Sequence, residues 1–344
     1  MNVVVLTNMA PFVSDGSEVL CDSLVFNLRQ RGISAEALRI PFSWEPAERL
    51  IEEMLAARSL RLQNVDRVIV LKFPAYLVPW PTKVFWLEHQ FRPAYDLWDT
   101  GQSNIPRDAA GEKIRAAIRA ADNLAFAEAH AIFTVSPVIS DRLRRHNGFD
   151  SMAMSVPLSD PEHFIGAPSE GYILATGRVG KAYRQHLLIE ALRHAPGLRL
   201  VIAGVPETPQ DAVKLRRLAE MAGVQDRLTL DLRCHSPPER AMLVNRALAA
   251  AYLPQDEGSV NHVMLEALQA AKPVLTTIDA AGALAAVRHG ETGLVVEPTP
   301  KALGTAMQTL GANPGSAFSM GRAGRAQLEA LSLTWATVTD RLLA

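Results

Sequence analysis

The sequence predicts an α/β protein made of two doubly wound parallel sheets, Rossmann-like in pattern. Three observations predict it. Apolar runs of strand length alternate with stretches of helical spacing through both halves of the chain, a pattern that implies right-handed crossovers between parallel strands. One stretch, Pro157 to Gly171, holds three prolines and two glycines and follows neither period, so it reads as a linker. The chain has 344 residues, more than one core usually holds. We therefore expect a first domain at 1–160, a second at 161–330, and a helical piece at 331–344 that could cross back to the first domain. Ligands of doubly wound sheets sit outside the carboxyl ends of the strands, so the two domains are expected to face a central cleft.

The elements follow in order. Asn2 to Thr7 is a Val-rich strand. Leu20, Leu24, Val25 and Leu28 trace a helix face that Gly32 ends. Strands are expected at Ile33–Ile40, Val65–Leu71 and Lys83–Leu87, with a helix at Glu45–Leu60. The aromatic-rich stretch HQFRPAYDLWDTGQSNIPRD is too long for a plain connector. Its Phe91, Tyr95 and Trp98 fit either a ligand platform or plain core. A helix at Glu112–Glu128, a strand at Ala131–Val135, a short helix at Val138–Arg145 and a strand at Met152–Val156 complete the first half. Beyond the linker the pattern restarts. Strands are expected at Tyr172–Thr176, Leu198–Ala203, Leu228–Leu232, Ala249–Leu253, Pro273–Thr277 and Gly293–Val296. Helices are expected at Gln185–His194, Asp211–Met221 and Pro238–Ala247, after Ser259, and around Ala281–Val287. Three helical pieces end the chain, with Trp335 on the last.

Composition narrows the chemistry. Net charge is −1, so no overall field favours nucleic acid. Two cysteines, Cys21 and Cys234, fit a reducing compartment without a disulfide framework. No ligand pair stands near Cys234 and His235, so no metal is expected. No basic leader and no apolar run of ~18 residues is present, so the expected location is the cytoplasm. G-x-G-x-x-G, the Walker lysine loop and G-x-S-x-G are all missing, which disfavours dinucleotide redox chemistry, P-loop hydrolysis and serine acyl transfer.

The stretch AAAYLPQDEGSVNHVMLEALQAAKPVLTT, Ala249 to Thr277, carries the most chemistry. A buried strand ends at Pro254, a polar loop carries Glu257 and Gly258, and a helix follows with Glu266 on it. The helix N-terminus offers unpaired N–H groups to an anion such as a diphosphate. Glu266 could accept hydrogen bonds from sugar hydroxyls. Two solvated acids on an ordinary strand–loop–helix remain the alternative.

That stretch resembles a family 4 glycosyltransferase of the GT-B fold, together with GRVGKAYRQHLLIEAL, LRLVIAGVPE, LRRLAEMAGVQDRLTL and HGETGLVVEPTPKAL. SDGSEVLCDSLVFNLRQRGI and AIFTVSPVISDRL match the first half more loosely. The resemblance implies a retaining transfer of a hexosyl group from a nucleotide diphosphate donor, a UDP- or GDP-sugar, to an acceptor hydroxyl, with neither cofactor nor metal. The acceptor would be a carbohydrate, a lipid-linked group or a small molecule. It also implies roles. Arg178 contacts the diphosphate, and the backbone of Gly258, Ser259, Val260 and Asn261 lines the donor. Glu257 stands near the transferred sugar, Glu266 holds the ribose, and Gly16 lets the first-domain loop approach. His89 is a candidate for touching sugar or acceptor. Enzymes of this kind often dock on a bilayer, which leaves peripheral membrane contact open.

Three departures stand out. Eight residues separate Glu257 from Glu266, one more than the family pattern. Tyr183 occupies the place of the family's lysine, with Lys181 and Arg184 nearby as substitutes. Ala285 stands where the family usually has an acid. Two rival readings follow, a sugar-nucleotide epimerase or phosphorylase on the same fold and a degenerate nucleotide-sugar-binding protein.

Overall fold

The computed structural model describes residues 1–10, 16–259 and 261–344. It forms two compact units, Met1–Pro157 with Thr334–Ala344, and Leu158–Leu333.

The first unit opens with β1 (Asn2–Met9), α1 (Gly16–Gln30), β2 (Ser34–Pro41), α2 (Leu50–Ser59), β3 (Arg67–Lys72) and β4 (Lys83–His89). It continues with α3 (Asp96–Asp99), α4 (Ala109–Ala127), β5 (Ala131–Thr134), α5 (Pro137–Asn147) and the short β6 (Met152–Ala153). The strands form one parallel sheet in the order β2-β1-β3-β4-β5-β6. Leu20, Leu24 and Leu28 of α1 recur every fourth residue and are buried, the spacing that keeps side chains on one helix face. The helix expected from Glu45 starts late. Pro46 holds an extended backbone, a 3₁₀ turn follows at Ala47–Arg49, and α2 begins only at Leu50.

The aromatic stretch is core. Phe91, Tyr95 and Trp98 are buried. The Tyr95 and Tyr76 hydroxyls each donate at 2.8 Å to the buried carboxylate of Asp122 on α4, and Arg115 lies over the Trp98 ring. None of the three is left to form a platform.

The second unit runs β7 (Tyr172–Thr176), α6 (Gln185–Ala191), β8 (Arg199–Ala203), α7 (Pro209–Ala222), β9 (Leu228–Asp231), α8 (Pro237–Arg246) and β10 (Ala249–Ala251). Then follow α9 (His262–Gln269), β11 (Val274–Thr277), β12 (Gly293–Val296), α10 (Pro300–Ala312) and α11 (Pro314–Ala330). Its parallel sheet has the order β12-β11-β10-β7-β8-β9. From β7 the chain winds one way to β9, then returns to β10 on the other side. The switch point therefore falls between β7 and β10, where doubly wound sheets open a crevice. The helix expected around Ala281–Val287 is a 3₁₀ turn at Ala281–Ala285.

The proline-rich stretch is bound down within the second unit. The last carbonyls of α8, on Asn245 and Arg246, accept from Ala167 N–H at 2.9 Å and Glu170 N–H at 2.8 Å. A helix end always leaves such carbonyls without partners of its own, and this strap supplies them. The Asn245 side chain adds bonds to Gly166 and His163.

Helix α12 (Trp335–Leu343) belongs to the first unit. Trp335 meets Trp86 edge to face at 6.0 Å, and Arg31, just after α1, bonds Thr339 and Asp340. Trp335→Ala should therefore lower the stability of the first unit by about 3 kcal/mol. Urea titration followed by tryptophan fluorescence measures this, and a loss below about 1 kcal/mol would show that α12 is not anchored there.

Candidate functional site

Tight backbone approaches at the end of β7 shape the site. Gly204 after β8 has φ +153, and a Cβ there would lie 1.7 Å from the Gly177 carbonyl oxygen. Gly177 has φ +98, and its Cβ position lies 3.1 Å from Val263 on α9. The β7 loop is thus wedged between the β8 loop and the first turn of α9. Arg178 emerges from this wedge, half-exposed, 3.7 Å from the Glu207 carboxylate. A side chain at Gly180 would overlap that carboxylate, with contacts down to 2.2 Å.

Arg184 corrects one expectation. It is not poised for a phosphate. Its Nε donates to Leu253 O at 2.8 Å, and its two Nη atoms reach Pro254 O, Thr277 Oγ1 and both oxygens of Asp279 at 2.7–2.8 Å. The side chain is buried. These bonds hold the Asp279 carboxyl below the usual carboxylate range. All three nitrogens of the guanidinium are engaged in bracing the loop after β10 against the end of β11 and the loop beyond it. Lys181 is exposed and makes no ion pair among the described residues. Tyr183 turns its ring toward Tyr252, centroids 6.3 Å apart.

The loop after β10 is held from below. Gln255 N–H donates to Ala182 O, Asp256 N–H to Asp279 O, and Gly282 N–H to Glu257 O at 2.7 Å. A Cβ on Gly282 would meet the carbonyl oxygens of Ser259 and Gly258 at 2.5 and 2.7 Å, so only glycine lets the two segments come this close. The Ser259 hydroxyl donates to Glu257 Oε1 at 3.1 Å. Val260 lies outside the described residues. Asn261 caps α9, its side chain accepting from Val263 N–H at 3.0 Å.

Glu266 lies one turn beyond Val263 on α9 and its side chain is 2% exposed. Arg240 of α8 donates from Nε to its Oε1 at 2.8 Å. Its Oε2 is buried and has no hydrogen-bond partner. Burial pushes the carboxyl up to about 7, against the pull of Arg240. Two further buried hydroxyls, of Thr176 and Tyr252, make no hydrogen bond of good geometry. β10 pairs Ala250 with Leu174 of β7, and continuing that register sets Tyr252 level with Thr176 on one sheet face. Glu257, Tyr183, Asn261 and Arg178 all surround the Tyr252 phenol closely enough to act on its ionisation, which burial pushes well up.

Buried polar atoms without partners are uncommon and ask for an explanation, and three of them here border one switch point. Comparison with known proteins supplies the context. Residues 163–327 match the family described as glycosyl transferases group 1. That matched region lies within the second unit. A D-inositol 3-phosphate glycosyltransferase of Nocardia farcinica is 33% identical over 186 residues, 52% of this chain. The chain spans 40% of the length of that relative. Among solved structures, sucrose-phosphate synthase from Thermosynechococcus elongatus has TM-score 0.75 at 18% identity, covering 99% of this chain and 97% of its own. Anabaena HepE, solved with UDP and glucose, has TM-score 0.73 at 15% identity, covering 100% and 98%. The shared fold is GT-B, two doubly wound parallel sheets in one chain.

Within the matched region the structure thus brings together Arg178, Glu257, Gly258, Ser259, Asn261 and Glu266. Gly16 and His89 belong to the first unit. Gly16 opens α1, and a Cβ there would meet nothing within 4 Å, so no steric demand for glycine arises from the described residues. His89 ends β4, its Nδ1 2.7 Å from Gln90 O. Ser17, beside Gly16, donates to Glu88, beside His89, at 2.5 Å and accepts from Lys72 at 2.7 Å, so the two candidates share one end of the first sheet. Among the described residues, no group of three or more His, Cys, Asp or Glu could hold a metal ion, and no helix is long and apolar enough to cross a membrane. Sequence reading missed Arg240, Glu207 and Tyr252. A glutamate expected to bind ligand was the one signal that could have prompted a search for its cation.

Arg184→Met should destabilise the second unit by about 3 kcal/mol, because it leaves two buried loop carbonyls without their donor and takes the cation from Asp279. Arg184→Lys should recover less than half of that, since an ammonium cannot reproduce the fork. Chemical denaturation measures both, and a Lys variant as stable as wild type would contradict the bracing role.

Proposed function

We propose that the chain is a retaining glycosyltransferase that moves a sugar from a UDP- or GDP-type donor to an acceptor hydroxyl. The observation that supports this best is the packing of Gly177, next to Arg178, against the first turn of α9, with the unpartnered Glu266 oxygen one turn further on. A cation and helix N–H groups suit a diphosphate, and a buried carboxylate suits a ribose. The Anabaena neighbour solved with UDP and glucose agrees in fold.

In the reaction, the acceptor oxygen bonds to the anomeric carbon as the bond from that carbon to the diphosphate breaks. Attack comes from the face the diphosphate leaves, and a donor phosphate oxygen takes the acceptor's proton. The products are the glycoside and the nucleoside diphosphate. Charge grows on the leaving diphosphate, so fixed donors aimed at it lower the barrier. Arg178 is the side chain in this role, and exposed Lys181 can approach the same charge. Glu257, tethered by Ser259, would face the transferred sugar, and His89 the sugar or acceptor. No side-chain base is needed. The acceptor is a carbohydrate, a lipid-linked group or a small molecule, and the reaction is placed in the cytoplasm.

Tyr183 in place of a lysine favours a second reading, a protein that binds the donor without turning it over. Incubation with a panel of UDP-, GDP- and ADP-sugars separates the readings. Release of nucleoside diphosphate in the presence of acceptor supports transfer, whereas tight binding with zero release supports the second. Arg178→Ala should lower kcat about 100-fold to 1000-fold. Binding of no nucleotide sugar at all would overturn both readings.

A further inference from the structure

We propose that Arg240 is a positioning residue for donor recognition, gripping Glu266 Oε1 so that Oε2 is held ready for the hydroxyls of the nucleotide's ribose. The inference rests on the donor reading above and deepens it.

The geometry carries the argument. Arg240 lies on α8 and Glu266 on α9, 26 residues apart in sequence, and the Nε–Oε1 bond is 2.8 Å. One carboxylate oxygen is therefore satisfied and fixed in direction. The other is buried with neither water access nor a donor. Such an atom is costly to keep, and a hydroxyl that reaches it removes the penalty. Two adjacent hydroxyls on a ribose match one carboxylate oxygen that has two lone pairs free. Because Oε2 is buried, a ribose reaches it only when the groups covering it move aside.

Charge supports the same role. Arg240 from α8 and Asp160 from the strap ahead of β7 are the charged groups that bear on Glu266. Burial and Asp160 raise its pKa, and Arg240 opposes them. A carboxylate accepts hydroxyl bonds better than a neutral acid does. Ribose recognition should then strengthen as pH rises through about 7 in the wild type. Without Arg240 the carboxyl titrates higher still, so the same strengthening moves to higher pH.

The test uses the full chain and three probes, UDP, GDP and ADP, by titration calorimetry from pH 6 to 9. The tightest binder is then compared with its 2′,3′-dideoxy analogue. The ratio of the two affinities isolates the ribose hydroxyls and cancels ionisation of the phosphates. In the wild type at pH 7.5 the ratio should be roughly tenfold to 100-fold. Arg240→Met should bring it to about twofold at pH 7.5 and restore it partly by pH 9. Arg240→Lys should keep most of it, and Glu266→Gln should flatten it at every pH. A merely structural role would weaken both nucleotides alike and leave the ratio unchanged. A wild-type ratio in Arg240→Met, with Glu266→Gln flattened, overturns the Arg240 inference alone. A wild-type ratio in Glu266→Gln overturns the ribose role of Glu266 and this inference with it. Binding of none of the three nucleotides overturns the donor reading as well.

Discussion

One guanidinium holds the candidate site in shape. Arg184 sits at a left-handed backbone position, φ +53, just before α6. From there it bonds two carbonyls just beyond β10, the threonine that ends β11 and the aspartate that follows it. Three segments distant in sequence are thereby set at fixed spacing. Asp279, held by Arg184, offers its own carbonyl to Asp256 N–H, and Gly282 offers an N–H to Glu257 O. The loop that carries Glu257 thus rests on a floor whose keystone is the buried Arg184 guanidinium, paired with a partly exposed Asp279. Removing the guanidinium strands the buried carbonyls it serves, which is why its effect exceeds that of a surface ion pair.

The fold class was legible because alternating strand and helix periods survive in both halves. Strands β7 and β12 lie where the sequence places them. What the periods could not show were interruptions that depend on three dimensions. Ala281 to Val287 is apolar enough for a helix, yet Gly282 must lie against Gly258 and Ser259, and that close approach leaves room for a 3₁₀ turn only. Pro157 to Gly171 has the composition of a free linker. It is pinned because α8 ends beside it with carbonyls to satisfy.

The site was legible in part for a similar reason. Glu266 stands out on an apolar helix face, since an acid there needs a purpose. Arg184 and Lys181 look alike in sequence, two cations in a loop after a strand. What separates them is the set of oxygens facing Arg184, carbonyls about 70 positions away and a carboxylate 95 positions away. Arg240 was invisible because its partner lies on another helix. Local pattern reports which residues are polar. It does not report which polar atoms find each other.

The tyrosine at 183 bears on how the proposed donor would be held. A lysine there would add a full charge beside Arg178. The phenol instead packs toward Tyr252, and Arg178 itself shares its charge with Glu207 at 3.7 Å. The phosphate side of the site is therefore weaker in fixed positive charge than the family pattern implies. On that reading, more of the donor's grip falls on the α9 terminus and on buried Glu266 with its partly buried partner Arg240. Buried hydrogen bonds lose little to salt, whereas exposed cations are screened within a Debye length of about 8–10 Å. On the donor reading, the balance between an exposed phosphate grip and a buried ribose grip has shifted toward the second, and Tyr183 and Arg240 are two parts of the same shift.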